Sequence, residues 1–96
     1  MLAPAKIEER RRHLEARLRH AHERLRGDMP DEHRTWKTKV LIPDILDALE
    51  RINQNIYGIC ERCDESIPLA RLMVRPEARN CVSCQEANEK EREHAA

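Results

Sequence analysis

The stretch CERCDESIPLARLMVRPEARNCVSC, from Cys60 to Cys84, holds all four cysteines of the 96-residue chain. They form two C-x-x-C pairs separated by 17 residues, Asp64 to Asn80. That spacing lies in the range used by four-cysteine zinc sites. Each C-x-x-C makes a tight turn that aims two sulfurs at one point. Two such turns complete a tetrahedron around Zn²⁺, with each sulfur about 2.3 Å from the metal. The ligands are then Cys60, Cys63, Cys81 and Cys84. Four protein ligands leave no open coordination position, so the spacing predicts one structural zinc ion. None of the five histidines lies between the pairs, which argues against a mixed Cys/His site. The same thiols could instead form a redox pair without metal. The site would carry a formal charge of −2, and Arg62, Arg71, Arg75 and Arg79 stand close enough in sequence to offset it.

The rest of the chain explains why a metal is needed. There is no Phe, one Trp and one Tyr, and charged residues make up 38% of the sequence. Such a chain buries a small core, and small cores usually need a staple. Structural zinc supplies roughly 10–16 kcal/mol of apparent binding free energy in finger peptides at neutral pH. The amino-terminal run MLAPAKIEERRRH has no apolar segment of the kind found in a secretory signal. The longest aliphatic run, Val40-Leu41-Ile42, is far too short to span a bilayer. A cytoplasmic protein is expected, and reduced thiols there favour metal over disulfide.

From Ala5 to Arg26 the chain is free of Gly and Pro and rich in helix formers. Ile7, Arg11, Leu14, Leu18, Ala21 and Leu25 are spaced alternately by four and three, an a/d seam containing one arginine. Pro4 suits the helix start and Gly27 its stop. The run GDMPDEHRT, Gly27 to Thr35, reads as a turn. A second seam follows at Ile42, Ile45, Leu49, Ile52 and Ile56. Pro43 interrupts its beginning, so the second helix starts either near Pro43 or near Asp31 with a kink. The reading taken is an ordered segment before the proline. Gly58 is a candidate C-cap for this helix. After Cys81, VSCQEANEKEREHAA predicts a short helix beginning inside the second cysteine pair.

The fold class expected is mainly α: an antiparallel helical hairpin, a four-cysteine finger and a short C-terminal helix. Residues 1–57 would form a coiled-coil hairpin with its tip near 27–35, and 58–96 the zinc module.

Several functions are disfavoured. Eighteen acids balance eighteen Lys and Arg, and the basic patch with interleaved aromatics that single-stranded nucleic acid needs is missing. No Ser/His/Asp arrangement or glycine-rich phosphate loop is present, with only two glycines in all. An enzyme is not expected. Arg10-Arg11-Arg12 is flanked by Glu8, Glu9 and Glu15 and reads as a solvated helix face.

A hairpin followed by Tyr57-Gly58-Ile59-Cys60, Ile67-Pro68-Leu69-Ala70-Arg71-Leu72 and Arg75-Pro76-Glu77-Ala78 before the second cysteine pair resembles the bacterial DksA/TraR C4-type zinc-finger proteins (DnaK suppressor-like). The match is dense from Tyr57 to about Ala87, and over residues 5–56 it is topological. The resemblance implies a regulator that inserts its hairpin into the secondary channel of RNA polymerase, often together with the alarmone ppGpp, without reading DNA sequence. The family's tip motif is D-x-x-D-x-A. Asp28 and Asp31 match its acids, and His33 stands at the alanine position. Turn and helix-capping chemistry is the other reading of both aspartates.

The chain also departs from the family pattern. From the second tip acid to the first cysteine it is shorter than DksA by roughly eleven residues, about 16 Å of helix. Arg75 matches a basic family position. Gln85 and Asp44 replace basic residues, so no dependence on ppGpp is expected. Asp64 replaces the usual Gly, and Asp tolerates the left-handed backbone better than most residues. The leading expectation is therefore a monomeric polymerase regulator. The alternatives are a zinc-stabilised adaptor that never enters the polymerase channel and a thiol redox sensor.

Overall fold

The computed structural model describes residues 2–94. Met1, the first residue of the expected hairpin, and residues 95–96 of the expected C-terminal helix lie outside the described residues. Helix α1 spans Pro4–Arg26, with proline in its first turn, where a missing N–H costs nothing. It stops before Gly27, which is extended at φ −93 and ψ 178. Any residue could hold that conformation, so the helix stop does not depend on the missing side chain.

The second arm runs from α2 (Asp31–Trp36) through a π-helical segment (Lys37–Leu41) into α3 (Ile42–Asn53). The backbone stays right-handed helical across both junctions. Pro43 therefore neither starts the arm nor breaks it. A proline ring clashes with the carbonyl four residues earlier and donates no hydrogen bond. The π segment widens the turn ahead of it, where the N–H of Ile42 bonds to the Lys37 carbonyl five residues back. Thr38 adds its own local bonds, from Oγ1 to the carbonyl oxygens of Arg34 and Thr35 at 2.9 and 3.2 Å.

The end of α3 corrects one expectation. Asn55, at φ 62, takes the left-handed position. The N–H of Ile56 bonds to the Arg51 carbonyl and that of Asn55 to the Ile52 carbonyl. This is a Schellman cap built on asparagine, and Gly58 lies beyond it. Ile56 consequently leaves the seam and is 45% exposed. Leu41 and Ala48 take their places in the core instead, both buried.

The two arms pack α1 against α3. Leu14 and Ala21 meet Leu41, Ile45, Ala48 and Ile52, and Ile7, Leu18, Ile42 and Leu49 pack around them. Burying a leucine side chain fully contributes about 1.5–3 kcal/mol, so the few wholly enclosed side chains carry much of the stability. Arg11 sits in the seam without being buried in it, because its guanidinium reaches out to Glu8 at 3.3 Å and Asn53 at 3.4 Å. The same core continues without interruption into Tyr57, Cys60, Ile67, Leu72 and Ala78.

Polar contacts fix the junction between hairpin and cysteine module. Arg51 is 4% exposed. Its Nη1 and Nη2 donate to the carbonyl oxygens of Ala78 and Glu77, both at 3.3 Å. Its Nε lies 3.1 Å from the Asp47 carboxylate, which also lies 3.2 Å from Arg79. Arg79 donates to Asp44 at 2.8 Å, and Arg17 of α1 donates to Glu77 at 3.0 Å. Charges from both arms thus converge on residues 77–79.

Candidate metal centre and hairpin tip

The first cysteine pair sits in a short turn closed by backbone bonds. The N–H of Cys60 donates to the Glu65 carbonyl at 2.8 Å, and the N–H of Asp64 to the Cys60 carbonyl at 2.9 Å. Ile59 and Ser66 form an antiparallel bridge beneath it. The turn needs one left-handed residue, and Asp64 supplies it at φ 61. Gly58 supplies another at φ 84, and its carbonyl accepts from Ile67 at 2.7 Å. There is little room for a side chain at Gly58, because an added Cβ would stand 3.4 Å from Leu2 and 3.5 Å from Leu72.

Helix α4 (Leu69–Val74) follows Pro68 and buries Leu72. Pro76 is wholly buried, and its carbonyl accepts from the Tyr57 hydroxyl at 2.8 Å. Burial raises that phenol to about 12, so it remains a donor. The second pair is delivered by helix α5 (Val82–His94), which begins one residue after Cys81 and places Cys84 in its first turn. The N–H of Gln85 bonds to the Cys81 carbonyl at 2.9 Å.

These elements bring Cys60, Cys63, Cys81 and Cys84 together, with all four sulfurs within 4.8 Å of one another. Cys63 and Cys81 are 4.0 Å apart. A tetrahedral zinc with bonds of about 2.3 Å would put its sulfurs ~3.8 Å apart, so the cluster fits the ion. The donor set fits as well. Burial pushes the Cys60 thiol up, but the backbone N–H groups of Cys63, Cys81 and Arg62 outweigh it and bring the thiol down to about 6. Cys84 is pushed up to about 12, first by its contact with Cys81 and then by burial and the other two sulfurs. Four sulfurs this close cannot all ionise without a cation among them, and zinc supplies that cation.

Charge compensation by the arginines is indirect. Arg62 hydrogen-bonds to Asn88 at 2.6 Å and Glu91 at 2.7 Å, tying α5 to the first turn, and after Glu91 the Cys84 and Cys60 sulfurs also favour its charged form. Arg71 donates to the Asn80 carbonyl, and Arg79 serves Asp44 and Asp47. Nearby guanidinium groups are drawn to full carboxylates and open carbonyls, while backbone N–H groups face the buried sulfur.

Asp28 lies in the turn, Asp31 opens α2 and His33 follows on the same helix, all three exposed. Asp31 makes no side-chain cap, because Pro30 holds the cap position. With Glu32 it instead complements the helix dipole. Among the described residues neither tip aspartate takes part in an ion pair. Arg75 is exposed at an open cleft of about 700 Å³, which Trp36, Asp44, Arg79, Gln85 and Arg92 also line. Three positions distant in sequence, Asp44, Arg75 and Gln85, thus share one cleft. Asp44 is partly buried there, and that burial holds its carboxyl above its usual value despite Arg79.

Comparison with known proteins agrees with this architecture. The prokaryotic dksA/traR C4-type zinc finger matches residues 55–90. The structure of the RNA polymerase binding protein and transcriptional regulator Dks from Chlamydia trachomatis superposes with a TM-score of 0.63, at 34% identity over 94% of both chains. The chain belongs to the DksA/TraR C4-type zinc-finger family. DksA2 from Pseudomonas aeruginosa matches at 32% identity and TM-score 0.56, over 92% of this chain and 81% of that one. The RNA polymerase-binding transcription factor DksA of Caulobacter vibrioides is 44% identical over 59 residues, 60% of this chain. The matched stretch is 42% of that relative's own length, so this DksA/TraR chain spans less than half of it. The family's finger is a C4 zinc site, and here its four ligands are Cys60, Cys63, Cys81 and Cys84. No helix of the described residues is long and apolar enough to cross a membrane.

Proposed function

We propose that this protein is a zinc-binding regulator of bacterial RNA polymerase. It enters the secondary channel of the enzyme with its hairpin and presents Asp28 and Asp31 near the active-site region. The observation that carries the reading is the likeness to the Chlamydia regulator along 94% of both chains. It is joined by two exposed acids at the hairpin turn. The part played by zinc would be purely structural, closing the module that grips the base of the hairpin. The protein would act as a cytoplasmic monomer, catalyse nothing itself and read no DNA sequence.

Independence from ppGpp belongs to the same reading. Arg75 lines the cleft, but Asp44 faces the same space and holds Arg79 in an ion pair at 2.8 Å. A polyphosphate entering there would meet that carboxylate. Gln85 adds no charge.

The test compares binding of the zinc-loaded protein to polymerase core, wild type against Asp28→Ala/Asp31→Ala, with transcription from a ribosomal promoter followed in parallel with and without ppGpp. Both proteins are expected to bind, and only the wild type to alter transcription, to the same extent with the nucleotide or without it. If neither binds, the fold serves another protein partner and the adaptor reading replaces this one.

A further inference from the structure

The tip acids sit in a turn that has almost nothing to hold it. Helix α2, which follows the turn, has no buried residue, so no fully enclosed side chain anchors it. The last carbonyls of α1 lack partners within their own helix, as at any helix C-terminus. One side chain meets both needs. From one turn inside α2, Arg34 reaches back across the gap. Its Nη1 donates to the Leu25 carbonyl at 2.8 Å and its Nη2 to the Gly27 carbonyl at 3.1 Å. Its backbone N–H meanwhile bonds to the Pro30 carbonyl at 3.1 Å. Residues 28–30 are thereby enclosed between two points tied to a single residue. Among the described residues, no other side chain makes a hydrogen bond between residues 25–27 and helix α2.

We propose that Arg34 is the positioning residue of the tip: its fork joins the end of α1 to the start of α2 and fixes where Asp28 and Asp31 stand. The inference rests on the polymerase reading for its consequence but not for its structural part. Arginine suits this position because its planar group presents two parallel donors to two carbonyls. Lysine would offer one compact charge on a flexible stem and could satisfy only one of them well. The cation also complements the negative end of the α1 dipole, where the exposed carbonyls lie. Among the described residues, the side-chain hydrogen bonds of Arg34 go only to Leu25 and Gly27, so the effect of its guanidinium passes through the turn it orders.

The experiment uses full-length, zinc-loaded protein and the variants Arg34→Gln and Arg34→Lys. Amide hydrogen exchange of residues 25–34 reports the order of the tip. Zinc content and thermal midpoint report the remainder of the fold. Polymerase affinity and the change in promoter output are measured separately. Loss of two hydrogen bonds from a charged donor at a partly solvated site is expected to speed tip exchange about tenfold in Arg34→Gln. Zinc content and thermal midpoint should not move. Polymerase affinity should stay within about twofold while the transcription effect falls about tenfold, and Arg34→Lys should lie between wild type and Gln. Unchanged tip exchange in Arg34→Gln would overturn the proposal. So would faster exchange with an intact transcription effect, or an affinity loss that accounts for the whole defect. If wild type has no effect on transcription, the polymerase reading fails and takes the regulatory role of Arg34 with it. The exchange data then decide alone whether Arg34 orders the turn.

Discussion

Replacing Arg51 by alanine removes a guanidinium from the junction between hairpin and zinc module. Its side chain is 5% exposed, donates to the carbonyls of Glu77 and Ala78 and forms an ion pair with Asp47. Removing one partner of a buried ion pair costs about 3–5 kcal/mol. Two features place this site at the low end. Asp47 is 40% exposed and keeps Arg79 at 3.2 Å, so it is not left without a cation. The two carbonyl bonds, at 3.3 Å, are at the long end of the range. A loss of about 3 kcal/mol follows. With a urea slope of about 2 kcal/mol per molar for a domain of this size, the unfolding midpoint should fall by about 1.5 M. Urea titration of the zinc-loaded protein measures this. Arg51→Met is the informative companion, since it restores volume but leaves both carbonyls without a donor. It should recover only part of the loss. Lys6→Ala, at the exposed pair with Glu9, should change stability by no more than about 0.5 kcal/mol. If Arg51→Ala shifts the midpoint no further than Lys6→Ala, apolar contact alone holds the junction and the charged network contributes nothing to it.

Three further outcomes are expected. A strong chelator should release one zinc per chain and move the unfolding transition to lower urea. Cys60 belongs to the continuous core, so the hairpin should weaken together with the finger. A transition indifferent to metal removal would rule that coupling out. Gly58→Ala should cost about 1–2 kcal/mol, because alanine must adopt φ 84. Asp64→Gly, at φ 61, should preserve both zinc content and stability. A harmless Gly58→Ala in urea titration would refute this. His13 gives a pH signature. Burial, then the cations Arg10 and Arg17, hold its imidazole below the usual 6.5, against the opposing pull of Glu77. As pH falls through 6.5 the unfolded chain takes up that proton before the folded one does. His13's contribution to stability is therefore present above 6.5 and lost as pH drops below it. Thermal midpoints at about pH 7.5 and 5.5 should differ less in His13→Gln than in wild type, and equal differences would count against the assignment.

The parts of the molecule legible in the sequence are those governed by neighbours along the chain. A C-x-x-C pair makes its turn from four consecutive residues, so the ligand set could be read directly. The heptad spacing of α1 and the start of α5 inside the second pair are equally local. The mistaken details involve competition between neighbours. Asn55 and Gly58 can both adopt the left-handed backbone, and proximity to α3 assigned the cap to Asn55. Gly58 was required elsewhere, where Leu2 and Leu72 crowd its Cα. At Pro43 the sequence left two helix starts open and favoured order before the proline; the arm is indeed helical from Asp31, and the π segment relieves the clash of a proline in a helix interior.

Sequence by itself determined that this chain folds as a helical hairpin closed by a four-cysteine zinc site, because periodicity and ligand spacing act over a few residues. Only tertiary structure decided how the two are oriented. That orientation depends on Arg17, Asp44, Asp47 and Arg51 meeting residues 77–79, charges distant along the chain and indistinguishable in sequence from solvated ones. The same holds for Arg34. In the sequence it is one basic residue among eighteen, and only the closeness of two carbonyls across the turn gives its guanidinium something to hold.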